Sequence, residues 1–318
     1  MRAALIIVSL LALSGCAPAE PVPAPSSTEP ASTEQPVSLQ TYGFALIDCG
    51  YDDPLDSSAT TDYLDEVAAF SNAAQLCVFG PEERVDARLE RMGANGVQAL
   101  LSVQALFFEG QPDASTGSGH RFSLRADYEQ RWNSFVAVNS LAEHAAEIYA
   151  FYLADEPAYN GMSSDELDVV ALLVKSTIPG AVTALIEAWP AVGQLVVPAS
   201  IDLIGFDHYG VADPLADPGF MAEYEQLKSK RSSPTQKIIV VLDAQWLPFY
   251  GEAGFDPAAM SAVAENYFAF ASADSDVVAL IGYLWPSGLD DPKQLGARAL
   301  PQSVLDTYAS IGERITGK

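Results

Sequence analysis

A single α/β domain of the (β/α)8 TIM-barrel class, covering residues 41–318, is predicted by three features of the sequence. Short apolar runs rich in β-branched and aromatic residues alternate with longer segments whose apolar residues recur at three and four. The alternation repeats eight times, and the runs are continuously apolar where a sheet with one wet face would alternate. The runs fall at 42–48, 75–79, 97–103, 148–154, 181–186, 201–207, 237–243 and 277–285. Helical segments are read at 62–71, 81–93, 127–147, 163–177, 219–230, 257–273 and 298–316, with a thin one at 188–195. Ser163, with Glu166 three residues on, reads as a capping box that satisfies otherwise orphaned amides at the start of its helix. The stretch Ile238-Ile239-Val240-Val241-Leu242 is the pattern of a parallel strand covered on both faces. A doubly wound open sheet is the alternative. It lacks support, because Asp48-Cys49-Gly50-Tyr51-Asp52 follows the first run where a glycine-rich phosphate loop would stand. The loop 108–122, rich in Gly and Ser, is longer than most connections and reads as a lid over the third strand.

The chain begins with Arg2, an uninterrupted apolar stretch from Ala3 to Leu13, and then Ser14-Gly15-Cys16. That stretch is too short to span a bilayer, so residues 1–15 read as a secretory signal peptide. The sequence around Cys16 resembles a bacterial lipobox, which implies cleavage before Cys16 and a lipid on its thiol. Ala17 stands where an Asp would suggest retention at an inner membrane. The resemblance therefore implies a lipid-anchored protein of the cell envelope, at the outer membrane of a Gram-negative cell, on its periplasmic or surface face. Residues 16–40 are dominated by Pro, Ser, Thr, Glu and Ala, and cannot bury enough apolar surface to order themselves. They read as a disordered, extended tether.

Sixteen basic against 42 acidic residues give a net charge of -26, which repels nucleic acid and anionic headgroups. No protein partner is indicated. Of the three cysteines, Cys16 is taken by the lipid, leaving Cys49 and Cys77 in an oxidising compartment, as a disulfide or as two thiols. Neither has metal-ligand spacing, and no cofactor signature is present, so neither metal nor cofactor is expected.

In a barrel of this class the active site lies where strands give way to helices, so the residues closing each run carry the functional information. They are polar and aromatic here. They include Asp48 and Tyr51 after the first run, Gln104 after the third, Asp155-Glu156-Pro157 after the fourth, and Glu187 and Trp189 after the fifth. Asp207-His208-Tyr209 closes the sixth run, Asp243-Ala244-Gln245-Trp246 the seventh, and Trp285 the eighth. Converging carboxyl groups and flat apolar rings are what cleavage of a glycosidic bond requires: an acid, a second carboxylate, and surfaces on which pyranose rings stack.

Tyr152-Leu153-Ala154-Asp155-Glu156-Pro157 resembles the strand-four motif of the clan A glycoside hydrolases, whose general acid is a Glu followed often by Pro. The run Ile201-Asp202-Leu203-Ile204-Gly205-Phe206-Asp207-His208-Tyr209 is similar to that clan's sixth strand, and Trp285 to its strand-eight tryptophan. The resemblance implies a carbohydrate substrate, poly- or oligosaccharide, with Glu156 as general acid. It implies further that Asp48, Tyr51, Gln104, Asp155, Asp207, His208, Tyr209, Trp246 and Trp285 surround the sugar. The clan's nucleophile, a Glu ending strand seven, is replaced here by Asp243, one methylene shorter. Asp243 is thus a nucleophile in an adapted pocket, a partner in an inverting site, or the trace of lost catalysis in a non-catalytic carbohydrate-binding lipoprotein. Family 18 chitinases share an acid at strand four, but 150–154 lacks their spaced Asp residues. Asp155 is expected to point away from Glu156, and only one of His208 and Tyr209 to face the pocket, because side chains alternate along extended backbone. Asp207 is the reserve carboxylate.

Overall fold

The computed structural model describes residues 38–318. The signal peptide, Cys16 and most of the tether lie outside the described residues. Residues just before position 41 also pack on the barrel: Leu39 is buried in the core, and the Ser38 hydroxyl donates to the carbonyl of Val277.

Eight parallel strands close into a barrel. They are β1 (Thr41–Asp48), β2 (Ala73–Cys77), β3 (Gln98–Ser102), β6 (Ile148–Asp155), β7 (Thr183–Ala188), β8 (Leu203–Asp207), β9 (Lys237–Asp243) and β10 (Val277–Tyr283), in the order β1-β2-β3-β6-β7-β8-β9-β10 and back to β1. All eight predicted runs are barrel strands. Their apolar character has the expected cause. In β9, Ile239 and Val241 pack inside the barrel with Leu100, Ala150, Ala184 and Ile281, whereas Ile238, Val240 and Leu242 join the layer between sheet and helices. Gly43 sits where β1 and β2 approach so closely that a Cβ would lie 1.9 Å from the carbonyl oxygen of Ala73, so no larger residue fits.

The helices are α1 (Leu64–Val67), α2 (Asp86–Ala94), α3 (Gln104–Phe107), α4 (Tyr128–Val138), α5 (Ser164–Thr177), α6 (Pro218–Ser229), α7 (Pro248–Glu252), α8 (Met260–Ala273) and α9 (Gln302–Thr316). Ser163 and Glu166 form the predicted capping box of α5. The predicted helix 62–71 shrinks to one turn because Asp62 is held in a bridge with Asp48. The thin fifth segment is a single 3-10 turn, Trp189–Ala191. The predicted helix 127–147 breaks after Asn139, where Ser140 turns into the left-handed region at φ +44° and the chain goes on as a 3-10 segment, Leu141–Glu147.

The expected lid loop is instead a β-hairpin, β4 (Phe108–Pro112) with β5 (His120–Leu124). Asp113 organises its turn by accepting from the Ser115 amide and pairing with Arg121. The hairpin is fastened to the loop between β6 and α5: Phe122 N–H donates to the carbonyl of Asn160, Arg121 to that of Gly161, and Gly117 N–H to that of Tyr159. The result is a fixed wall on one side of the barrel mouth.

Cys49, just past β1, and Cys77, closing β2, are joined in a disulfide that ties two neighbouring strand ends at the rim.

Candidate active site

The C-terminal ends of the strands open into a cavity of about 670 Å3, with Leu100, Ile186, Val241 and Ile281 as its floor. Asp155, Glu156, Asp207 and Asp290 gather on one side of it, beside the phenol rings of Tyr152, Tyr209 and Tyr283, and Glu109 lines it from the hairpin.

Glu156 is positioned by strained backbone. Its φ of +49° places a non-glycine residue in the left-handed region, which the surroundings must hold in place. They do so from both sides. Its amide donates to the carbonyl of Ile186 at 2.7 Å, and its own carbonyl accepts from the Asn160 amide at 2.8 Å. The fully buried Glu187 then anchors the rest of the turn, accepting from the amides of Ala158, Tyr159 and Ala188. With its backbone fixed in this way the Glu156 carboxyl is presented to the cavity, where burial, and then the charges of Asp155, Glu187 and Asp290, push its pKa up to about 7.

Asp155 also lines the cavity, contrary to the expected alternation. A register shift in β6 between Tyr152 and Ala154, followed by the left-handed turn at Glu156, brings consecutive carboxylates to the same side. The Asp155 carboxylate accepts from the Tyr152 hydroxyl, and its backbone amide donates to the Gln104 side chain. It is wetted from the cavity and enclosed by protein elsewhere, so burial holds its pKa above the usual range. Asp207 is more enclosed still. Burial, with Glu156, Asp155 and Glu187 nearby, pushes its carboxyl well above the ordinary value. Burial and mutual repulsion thus push each of these carboxyls toward its protonated form.

Tyr209 stacks on Tyr283, ring centroids 5.1 Å apart, and the Tyr283 hydroxyl donates to Asp290. Gln294 links Asp290 to Gln245 behind that wall.

Of the residues singled out in the sequence, the structure brings Glu156, Asp155, Asp207, Gln104, Tyr209 and Gln245 into one cavity. His208 faces outward, paired with Glu223 at 2.7 Å and stacked on Trp189. The others are placed elsewhere. Asp243, expected opposite Glu156, is 2% exposed and turned away from the cavity, accepting from the Gly210 amide and the Tyr250 hydroxyl. Its shorter side chain ends among packed groups beside Met260 and Val263 of α8. Trp285 is a core plug, 3% exposed, edge-on to Phe44, with its indole N–H on Glu66. β10 ends at Tyr283, so the last aromatic on the inward face is Tyr283, two positions earlier. Asp48 is clamped by the Arg88 guanidinium at 2.7 and 2.8 Å, which holds α2 to the barrel. Tyr51 lies outside the cavity, its carbonyl taken by the Tyr63 hydroxyl. Trp246 packs toward α7 with its indole N–H on the carbonyl of Phe255.

Sequence reasoning missed Tyr283, Asp290, Tyr152 and the hairpin residues Glu109, Phe122 and Arg125, all of which line the cavity. Strand parity could have found Tyr283 and Tyr152, which share the inward face with Ile281 and Ala150. Nothing local marks Asp290, which sits seven residues beyond the last strand.

Known structures share this architecture. A glucosidase from Croceicoccus marinus superposes with a TM-score of 0.55 at 14% identity, over 87% of this chain and 68% of that one. Xylanase 10B from Thermotoga maritima gives 0.54 at 12% identity, over 88% and 97%. A thermostable mutant of a xylanase from Cellvibrio japonicus gives 0.55 at 13% identity, over 87% and 98%. No protein-family model matches the sequence, and no curated protein matches it. The chain has the closed (β/α)8 barrel fold found in these glycosidase structures.

Proposed function

We propose that this chain is a lipid-anchored glycoside hydrolase of the cell envelope that cleaves a saccharide at the mouth of the barrel, with Glu156 as general acid and Asp207 as its partner carboxylate. The observation that carries the reading is the Glu156 carboxyl: set in a cavity by clamped, strained backbone, and half-protonated near neutral pH among other carboxylates. The solved structures that superpose include a glucosidase and xylanases, which supports the class of bond cleaved.

In this mechanism the Glu156 proton passes to the glycosidic oxygen as the bond from that oxygen to the anomeric carbon breaks. Positive charge then develops at the anomeric carbon, facing the ionised members of the carboxylate cluster. Water supplies the new hydroxyl, and its proton returns to the cluster. Asp155, Gln104 and Asp290 are placed to hold sugar hydroxyls, and the paired rings of Tyr209 and Tyr283 offer a stacking face. Asp243 takes no part.

A second reading, a carbohydrate-binding lipoprotein without catalysis, is favoured by one observation: the strand-seven carboxylate is sealed from the cavity. Glycan-array binding measured together with release of reducing ends separates the two. Release by the wild type, abolished in Glu156→Gln with binding kept, supports hydrolysis, and binding without release supports the second reading. For the anchor, Cys16→Ser is expected to move the protein from the membrane fraction to the soluble one, and continued membrane residence would remove Cys16 from that role.

A further inference from the structure

The cavity has two unlike halves. Toward β6, β8 and β10 it presents Asp155, Glu156, Asp207, Asp290 and the tyrosines. Toward β1, β2 and the hairpin it presents Leu46, Val78, Phe79, Phe108 and Phe122. Polar side chains in that second half are partly engaged already: the Gln75 side-chain oxygen accepts from the Leu46 amide, and Arg125 pairs with Glu109. A second sugar ring there would give up water at its hydroxyls with few partners in exchange, at a cost in free energy. Meanwhile Phe79 is 63% exposed at the cavity edge, and the Phe122 ring lies over Gly110 on the hairpin wall, apolar surface continuous with the carboxylate cluster. The anchoring of the hairpin to Asn160 and Gly161, in the same loop as Glu156, fixes the distance between apolar wall and acid.

We infer that the substrate is a saccharide joined to an apolar alkyl or aryl group, with the sugar among the carboxylates and the apolar group against Phe79 and Phe122. This rests on the hydrolase reading for its chemistry. The bond broken is that between the anomeric carbon and the oxygen of the apolar alcohol, which leaves with the Glu156 proton, while water supplies the hydroxyl of the freed sugar.

The test uses the full chain with methyl, butyl and hexyl glycosides of a panel of common sugars, alkyl alcohols of closely similar leaving ability. KM is expected to fall two- to fourfold per added methylene, the range set by partial to full burial of each. Phe79→Ser, at an exposed position, and Phe122→Ser should each flatten that dependence, whereas Leu55→Ser, exposed but off the cavity, should keep it. Hydrolysis with equal KM at all three lengths, or a preference for a sugar over hexyl as leaving group, would overturn the inference and leave the hydrolase reading standing. Calorimetric binding that strengthens with chain length and depends on Phe79, without turnover, would uphold the apolar subsite and sink the hydrolase reading. Absence of length-dependent binding in that assay also counts against the subsite.

Discussion

The Tyr250 hydroxyl donates to the carboxylate of Asp243, sealing the one acidic residue that ends the seventh barrel strand beneath α7 and α8. Asp243 is thereby structural, bridging the Gly210 amide to α7. Burial raises its pKa to about 6, so at pH 5 it is largely protonated and Asp243→Ala removes hydrogen bonds more than charge. At that pH the variant is expected to lose about 1–3 kcal/mol of stability, from donors left without acceptors. Urea denaturation at pH 5 measures this, and an unchanged midpoint would contradict it.

Stability should rise on mild acidification. Glu156 and Glu187 have folded pKa values near 7 and Asp243 near 6, all above their unfolded values. Between about pH 4.5 and 7 the unfolded chain has lost these protons while the folded chain keeps them, so each rise in pH favours unfolding. Repulsion within a chain of net charge -26 acts in the same direction. Asp56 and Asp113, lowered to about 2 by hydrogen bonds from Ser58 and Ser115 and by Arg298 and Arg121, oppose the trend only below about pH 4. Calorimetry is expected to show Tm higher at pH 5 than at pH 7.5 by about 5 °C. Glu156→Gln should shrink the difference, and a Tm that rises with pH across this range would be inconsistent with the raised values.

The disulfide closes a loop between residues 28 apart, which in the chain-entropy account stabilises by about 3–4 kcal/mol. The double substitution Cys49→Ser, Cys77→Ser is expected to lower the unfolding free energy by an amount of that order, read from denaturant curves in the absence of reductant. A change below about 1 kcal/mol would mean that the strand ends are held by other contacts.

Tyr283, and not the Trp285 to which the strand-eight resemblance pointed, is the aromatic of that strand that lines the cavity. Trp285→Phe should destabilise by about 1–3 kcal/mol through the lost bond to Glu66 and looser packing on Phe44, with KM unaffected. Tyr283→Ala should raise KM severalfold through loss of the stacked pair with Tyr209. The reverse pattern in steady-state kinetics would return Trp285 to the substrate.

The barrel was legible because hydrophobic periodicity is a property of each segment by itself. Ile238 to Leu242 must be apolar on both faces whatever else the chain does, and Ser163 with Glu166 caps a helix through purely local geometry. The place of Glu156 at a strand end was legible for a related reason, whereas its left-handed backbone is held by Ile186 and Glu187 of the neighbouring strand. The rest of the cavity depends on relations between distant segments. Whether the carboxylate of Asp243 turns toward Glu156 is decided by Tyr250 and Gly210, and whether Trp285 faces sugar or core is decided by Phe44 and Glu66. Asp155 reached the cavity through a register shift with its neighbour strand, and Asp290 through a loop whose path no periodicity records. The hairpin was mistaken for a loop because Gly110, Gly117 and Gly119 dilute its alternation, and the pairing of Gly110 with Phe122 shows only once the two strands are side by side.

Hydrolysis rates of Glu156→Gln, Asp207→Asn and Asp243→Asn, measured with a glycoside that the wild type cleaves, test the assignment of Glu156 and Asp207 most directly. Because a positioned acid and its partner each contribute on the order of 10²–10⁴ in rate, the first two variants are expected to fall by at least about a hundredfold, with the third within a few fold of wild type. An Asp243→Asn variant as crippled as Glu156→Gln, beside a fully active Asp207→Asn, would contradict it.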